Sequence, residues 1–122
     1  MATSQAVIDF IVENYGAALS EDGVMTLEIQ TKNGRTQMVY ARVWDSALQV
    51  TSPVAWAERV DADSFLKANT SMFGVVEING AYALKHNAFI EDIDESEILN
   101  ALAVLARYAD EFEAKLGFND EF

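Results

Sequence analysis

The sequence predicts an α+β domain in which helices cover one antiparallel sheet, and three observations carry that expectation. In residues 93–117, Ile98, Leu102, Leu105, Ala109, Phe112 and Leu116 recur at alternating steps of four and three, which lays one apolar stripe along a helix. Two Asn-Gly dipeptides, Asn33-Gly34 and Asn79-Gly80, each stand between runs rich in apolar residues, a strong short-range hairpin signal. A second helical pattern opens the chain and a short one lies between the hairpins, so the elements run α-β-β-β-α-β-β-α.

Taken in order, residues 4–19 read as a helix capped by Thr3 or Ser4, with Val7, Ile8, Ile11, Val12, Tyr15 and Leu19 on its apolar face. Glu21-Asp22-Gly23 breaks the pattern. Residues 24–44 read as a hairpin in which Asn33-Gly34 forms a two-residue type I′ turn, both positions tolerating φ > 0. Pairing outward from that turn puts Met25, Leu27, Ile29, Met38 and Tyr40 on one face, with Glu28, Gln30 and Gln37 on the other. The next strand, 47–51, then raises a conflict. If Asp45-Ser46 is a two-residue turn, Leu48 and Val50 fall on the polar face, because strand side chains alternate. A loop longer by one residue, or a bulge, restores them to the core side, and the bulge is the expectation here. Pro53 ends the strand because it has no N–H to give to a ladder, and 52–59 reads as a loop.

A short helix follows, with Asp61 as N-cap, Val60 and Phe65 as a hydrophobic staple, and Asn69-Thr70-Ser71 as its close. Residues 73–89 form the second hairpin, on Asn79-Gly80. Val76, Ile78, Ala81 and Ala83 share one of its faces; Phe73, Val75, Tyr82 and Leu84 share the other. Both faces are apolar. The long helix starts at Asp94 with Glu97 three residues on, a capping box, and Ile93 and Ile98 form its staple. Leu99, Ala103 and Ala106 widen its stripe. Gly117 is suited to close it, with Phe118 folding back onto Phe112.

A chain of 122 residues is one domain, able to bury a single core. Its net charge of −12 argues against nucleic acid and anionic membranes, where binding gains most from Lys and Arg beside phosphate. The chain has no cysteine, which excludes disulfides, thiolate catalysis and cysteine-ligated zinc. Asp9 and Glu13 interrupt the first apolar residues, so no secretory signal is expected. The longest apolar run, 98–106, is far short of the roughly 20 residues of a membrane span. The expected location is cytoplasmic.

Reaction chemistry is sparse. His86 is the single histidine. It lies on an expected strand with no placed partner for acid–base work, so a strand-edge histidine is the simpler reading. Residues 91–97 hold five acids, but without EF-hand spacing or its central glycine; acids at a helix N-terminus complement the macrodipole. No phosphate loop, nucleophile elbow or H-E-x-x-H is present. The expectation is therefore a non-enzymatic chain with no catalytic, cofactor-binding or metal-binding residues. An enzyme or small-ligand domain using His86 or the acidic segment is the alternative from another class. Partner contacts are expected at Trp44 and Trp56, which flank or occupy loops, and at Phe73, Val75, Tyr82 and Leu84 on the second hairpin. An uncovered apolar hairpin face also predicts a homodimer.

The stretch Ser64-Phe65-Leu66-Lys67-Ala68-Asn69 and the hairpin ending Ala83-Leu84-Lys85-His86, followed by Ala109-Asp110-Glu111-Phe112-Glu113-Ala114-Lys115-Leu116, resemble type III secretion chaperone-like proteins. The nearest resemblance is to the YbjN family of sensory transduction regulators, and Tir-type secretion chaperones come second. The resemblance spans most of the chain and is strongest from Arg35 onward. It implies a small acidic α-β-β-β-α-β-β-α protein that binds a peptide or protein, is often dimeric and has no catalytic residues. It transfers no individual functional residue.

Overall fold

The computed structural model describes residues 3–31, 34–117 and 122. Among these the order is α1 (Ser4–Tyr15), β1 (Ala18–Leu19), β2 (Val24–Gln30), β3 (Thr36–Val43), β4 (Ala47–Trp56), α2 (Ala62–Ala68), β5 (Gly74–Ile78), β6 (Ala81–Phe89) and α3 (Glu95–Lys115). The strands form one antiparallel sheet in the order β1-β2-β3-β4-β6-β5. This is the α+β architecture that the sequence predicts, with one short strand added. The first helix is shorter than residues 4–19 because Gly16 takes a left-handed conformation after Tyr15. Leu19 leaves the helix for β1 and is exposed.

The first hairpin differs from expectation by one residue, and much follows from that. Gln30 faces Thr36, and the Thr31 N–H donates to Arg35 O. Three positions therefore lie between Thr31 and Arg35, not two. Lys32, and Asn33 of the expected Asn33-Gly34 turn, are outside the described residues. The longer connection exchanges the faces of β3. Val39 and Ala41 turn inward beside Leu27 and Met25, Gln37 joins them, and Met38 and Tyr40 move to the opposite face. The conflict at β4 then disappears. Asp45-Ser46 is a two-residue turn, with the Trp44 N–H donating to Ala47 O, and Leu48 and Val50 are fully buried without a bulge. The bulge lies further on, between Pro53 and Ala55. Pro53 does not end the strand, since β4 runs on to Trp56 through residues expected to form a loop. The second hairpin has the expected two-residue turn: Ile78 faces Ala81, with φ 50° at Asn79 and 83° at Gly80.

Helices α1 and α3 pack on the same side of the sheet, α3 against β3, β4 and β6 and α1 against β2 and β3. Asp94 caps α3 by accepting from the Glu97 N–H at 2.8 Å. Leu102, Leu105, Ala106 and Ala109 are fully buried, whereas Leu99 and Ala103 are exposed and do not widen the stripe. The stripe widens on its other flank, where Asp110 and Glu113 are buried. Arg35 reaches them with Nε 2.8 Å from Asp110 and Nη2 3.7 Å from Glu113, and the Thr31 hydroxyl donates to Asp110 at 2.9 Å. Asp61 caps α2 through the Ser64 N–H. From α2, Phe65 stacks on Phe112 at 4.7 Å and meets Tyr82 at 5.1 Å. The expected contact of Phe118 with Phe112 lies outside the described residues.

Candidate functional site: the sheet face without helices

The far side of the sheet, which carries no helix among the described residues, is the candidate site. Alternation from the observed register sends Met38, Tyr40, Arg42 and Trp44 to this face from β3 and its end, and Gln49, Thr51 and Trp56 from β4. Ala81 and Ala83 come from β6, and Val76 and Ile78 from β5. Trp44 is 48 % exposed and Trp56 38 %. The Arg42 guanidinium lies 4.2 Å from the Trp44 ring centre, and the Trp44 indole N–H donates to Gln49 Oε1 at 3.2 Å. These contacts hold an exposed indole in one orientation with a cation over it, a pairing of residue types enriched at binding hot spots. Beside them a cleft of about 400 Å³ is lined by Asp22, Thr26, Tyr40, Arg42, Gln49 and Ile78, among others. The Ser20 hydroxyl donates to Asp22 and holds its carboxyl below the usual carboxylate range, with the Arg42 charge acting in the same sense.

A slit opens between β3 and β4 where their ladder stops at Tyr40 and Thr51. Continuing the register would bring Met38 opposite Pro53, which has no N–H to give. Side chains take over the pairing. The Ser52 hydroxyl donates to Met38 O at 2.6 Å, and Gln37 Nε2 donates to Ser52 Oγ at 2.9 Å and to Pro53 O at 2.6 Å. The Met38 N–H donates instead to the main-chain oxygen of Phe122 at 2.9 Å. The Phe122 ring lies 5.1 Å from that of Trp56.

The other residues expected to contact partners lie on the helix side. Phe73 and Leu84 are buried in the core, and Val75 and Tyr82 are half-buried against it. Only Trp44 and Trp56 share the open face, Trp44 beside the start of β4 and Trp56 at its end. His86 is half-buried on the helix side, with its ring edge-on to Phe73 at 5.8 Å. In the acidic segment, Asp94 is occupied by the Glu97 N–H and by the Ser96 hydroxyl at 2.9 Å. Among the described residues no group of three or more His, Cys, Asp or Glu is placed to hold a metal, and no helix is long and apolar enough to cross a membrane. Sequence reasoning missed Tyr40 and Arg42 because the first hairpin was paired one residue out. It missed Phe122 because no sequence signal ties that residue to β3. The chain matches no protein-family model and no curated protein.

Proposed function

We propose that this chain is a non-enzymatic protein- or peptide-binding module, a regulator or chaperone of the kind its sequence resembles in the YbjN family, with a dedicated secretion chaperone as the alternative within that class. Its partner is an extended polypeptide segment laid across the helix-free face. One arrangement supports the reading: two partly exposed tryptophans on the face opposite the core, one held beneath Arg42, with a cleft of mixed polar and apolar lining on the same face. A net charge of −12 favours a segment with basic residues among its aromatic or aliphatic anchors. The helix-free face carries this reading in place of the second hairpin's Phe73–Leu84 face, because that face is turned into the core. Self-association as a homodimer belongs to the same reading.

The test is selection from a displayed library of extended peptides, followed by titration of one selected peptide into the wild-type chain and into Trp44→Ala and Arg42→Ala. Hot-spot truncation weakens binding at least tenfold, about 1.4 kcal/mol or more. Selected peptides whose affinity is unchanged in both variants would move the site off this face.

A further inference from the structure

The slit between β3 and β4 has a feature that a general binding face does not require. Its missing main-chain partner is supplied by a residue more than eighty positions away in sequence, and that residue brings an aromatic ring onto Trp56. We propose that the slit is a receptor for one aromatic residue of a partner peptide, read by its ring and its main-chain oxygen together, and that Phe122 occupies it in cis as an internal competitor. This rests on the protein-binding reading above and names the chemistry of one subsite within it.

Pro53 inside β4 has no N–H to give the Met38 C=O, and its own carbonyl, which the Met38 N–H would otherwise meet, is taken by Gln37. The Met38 carbonyl is satisfied internally by Ser52, so neither carbonyl is open to a ligand. Among the described residues the Met38 N–H donates to Phe122 instead of to β4. The slit therefore offers one main-chain donor, flanked by the ring of Trp56. Such a pair selects an acceptor carbonyl with an aromatic side chain on the same residue. Phe122 meets both conditions and reveals the preference.

The fit of Phe122 is incomplete. A cavity of about 70 Å³ remains beside it, bounded by Tyr40, Pro53, Trp56, Ile78 and Ala83 among others. The space is open to solvent, so an aromatic residue that fills it removes more apolar surface from water and gains on Phe122. Phe122 has the advantage of its tether, which supplies an effective concentration on the order of millimolar. A free peptide of similar intrinsic affinity must overcome that concentration. Removing the ring from Phe122 removes the handicap.

The experiment uses the full chain with Trp44→Phe, so that emission reports on Trp56 alone. A fluorescently labelled peptide with the sequence of residues 117–122 is titrated into this protein and into the same protein carrying Phe122→Ala. The expected result is at least tenfold tighter binding to Phe122→Ala, with a change in Trp56 emission, and no binding of a control peptide whose last Phe is Ala. Equal affinity for both proteins would overturn the cis competition. No binding to Phe122→Ala, or equal binding of the control peptide, would overturn the receptor itself. Phe122→Leu, which keeps apolar bulk but loses the ring, repeats the comparison if the alanine variant does not fold. Light scattering of both proteins keeps the assignment intramolecular: a mass lost on replacing Phe122 would seat the ring in a second copy and overturn it. Library peptides that bind at Trp44 and Arg42 while Phe122→Ala gains nothing would sink this inference and leave the binding face standing.

Discussion

Gln37 shows how one polar side chain can serve a core. It is fully buried on the helix side of β3, a position that a hydrophobic pattern reserves for an apolar residue. Its amide earns the place by donating to two acceptors at the break in the ladder, the Ser52 hydroxyl and the Pro53 carbonyl. Among the described residues its Oε1 has no hydrogen bond, so the side chain also carries a burial cost. Gln37→Leu relieves that cost but leaves the Pro53 carbonyl without its donor. Because a buried unsatisfied acceptor costs about 1–3 kcal/mol, the variant should lose about that much stability in urea unfolding. An unchanged midpoint would mean that water reaches the Pro53 carbonyl. From sequence alone Gln37 looks like an ordinary exposed strand residue, because nothing in its type distinguishes a buried amide from a solvated one.

At the scale of elements, what was legible depended on whether a signal was local. The N-caps at Asp61 and Asp94, the second Asn-Gly turn and the stripe of α3 are read from neighbours in sequence, and the structure has all of them. The register of β3 is not local in this sense. Both of its faces carry apolar residues, Met38 and Tyr40 on one and Val39, Ala41 and Val43 on the other, so the pattern cannot choose between them. The conflict at Leu48 and Val50 was the useful signal. It needed one extra residue somewhere, and that residue sits in the first turn. The cap of α3 gives a prediction at this scale. Hydrogen bonds from the Glu97 N–H and then the Ser96 hydroxyl hold the Asp94 carboxyl below its ordinary value of 3.8. A group depressed in the folded state contributes stability above its unfolded value and loses it as pH falls through the folded one. Asp94→Asn keeps an N-cap acceptor and cannot titrate. Between about pH 5 and pH 2 the variant's urea midpoint should fall less than the wild type's, so the two curves converge in acid. Parallel curves would show that the cap does not depress Asp94.

The whole molecule has helices on one side of its sheet and two edges of unequal protection. At one edge stands β1, only two residues long, and such short edge strands discourage pairing. At the other, β5 offers a longer edge with Glu77 as its one charge, and the segment leading into it leaves Met72 78 % exposed, with Leu66 of α2 59 % exposed. If the chain forms a homodimer, β5 is the edge to pair: antiparallel joining about a two-fold axis satisfies both edges and extends one continuous sheet. It also leaves the helix-free face and the slit open on both protomers. Two chains of charge −12 repel, and salt screens that repulsion over a Debye length of about 10 Å at 0.1 M. The dimer should therefore strengthen as salt is raised, opposite to an association held by surface ion pairs. Light scattering at micromolar concentration should give a mass close to twice 13.5 kDa. The double replacement Leu66→Glu with Met72→Glu alters exposed side chains and adds to the negative charge, so stability should change by no more than about 0.5 kcal/mol per site. Placed beside the pairing edge, the two added charges on each protomer should return the mass to 13.5 kDa. A wild-type mass of 13.5 kDa at every salt concentration would sink the dimer. A double variant that stays dimeric would move the contact away from β5.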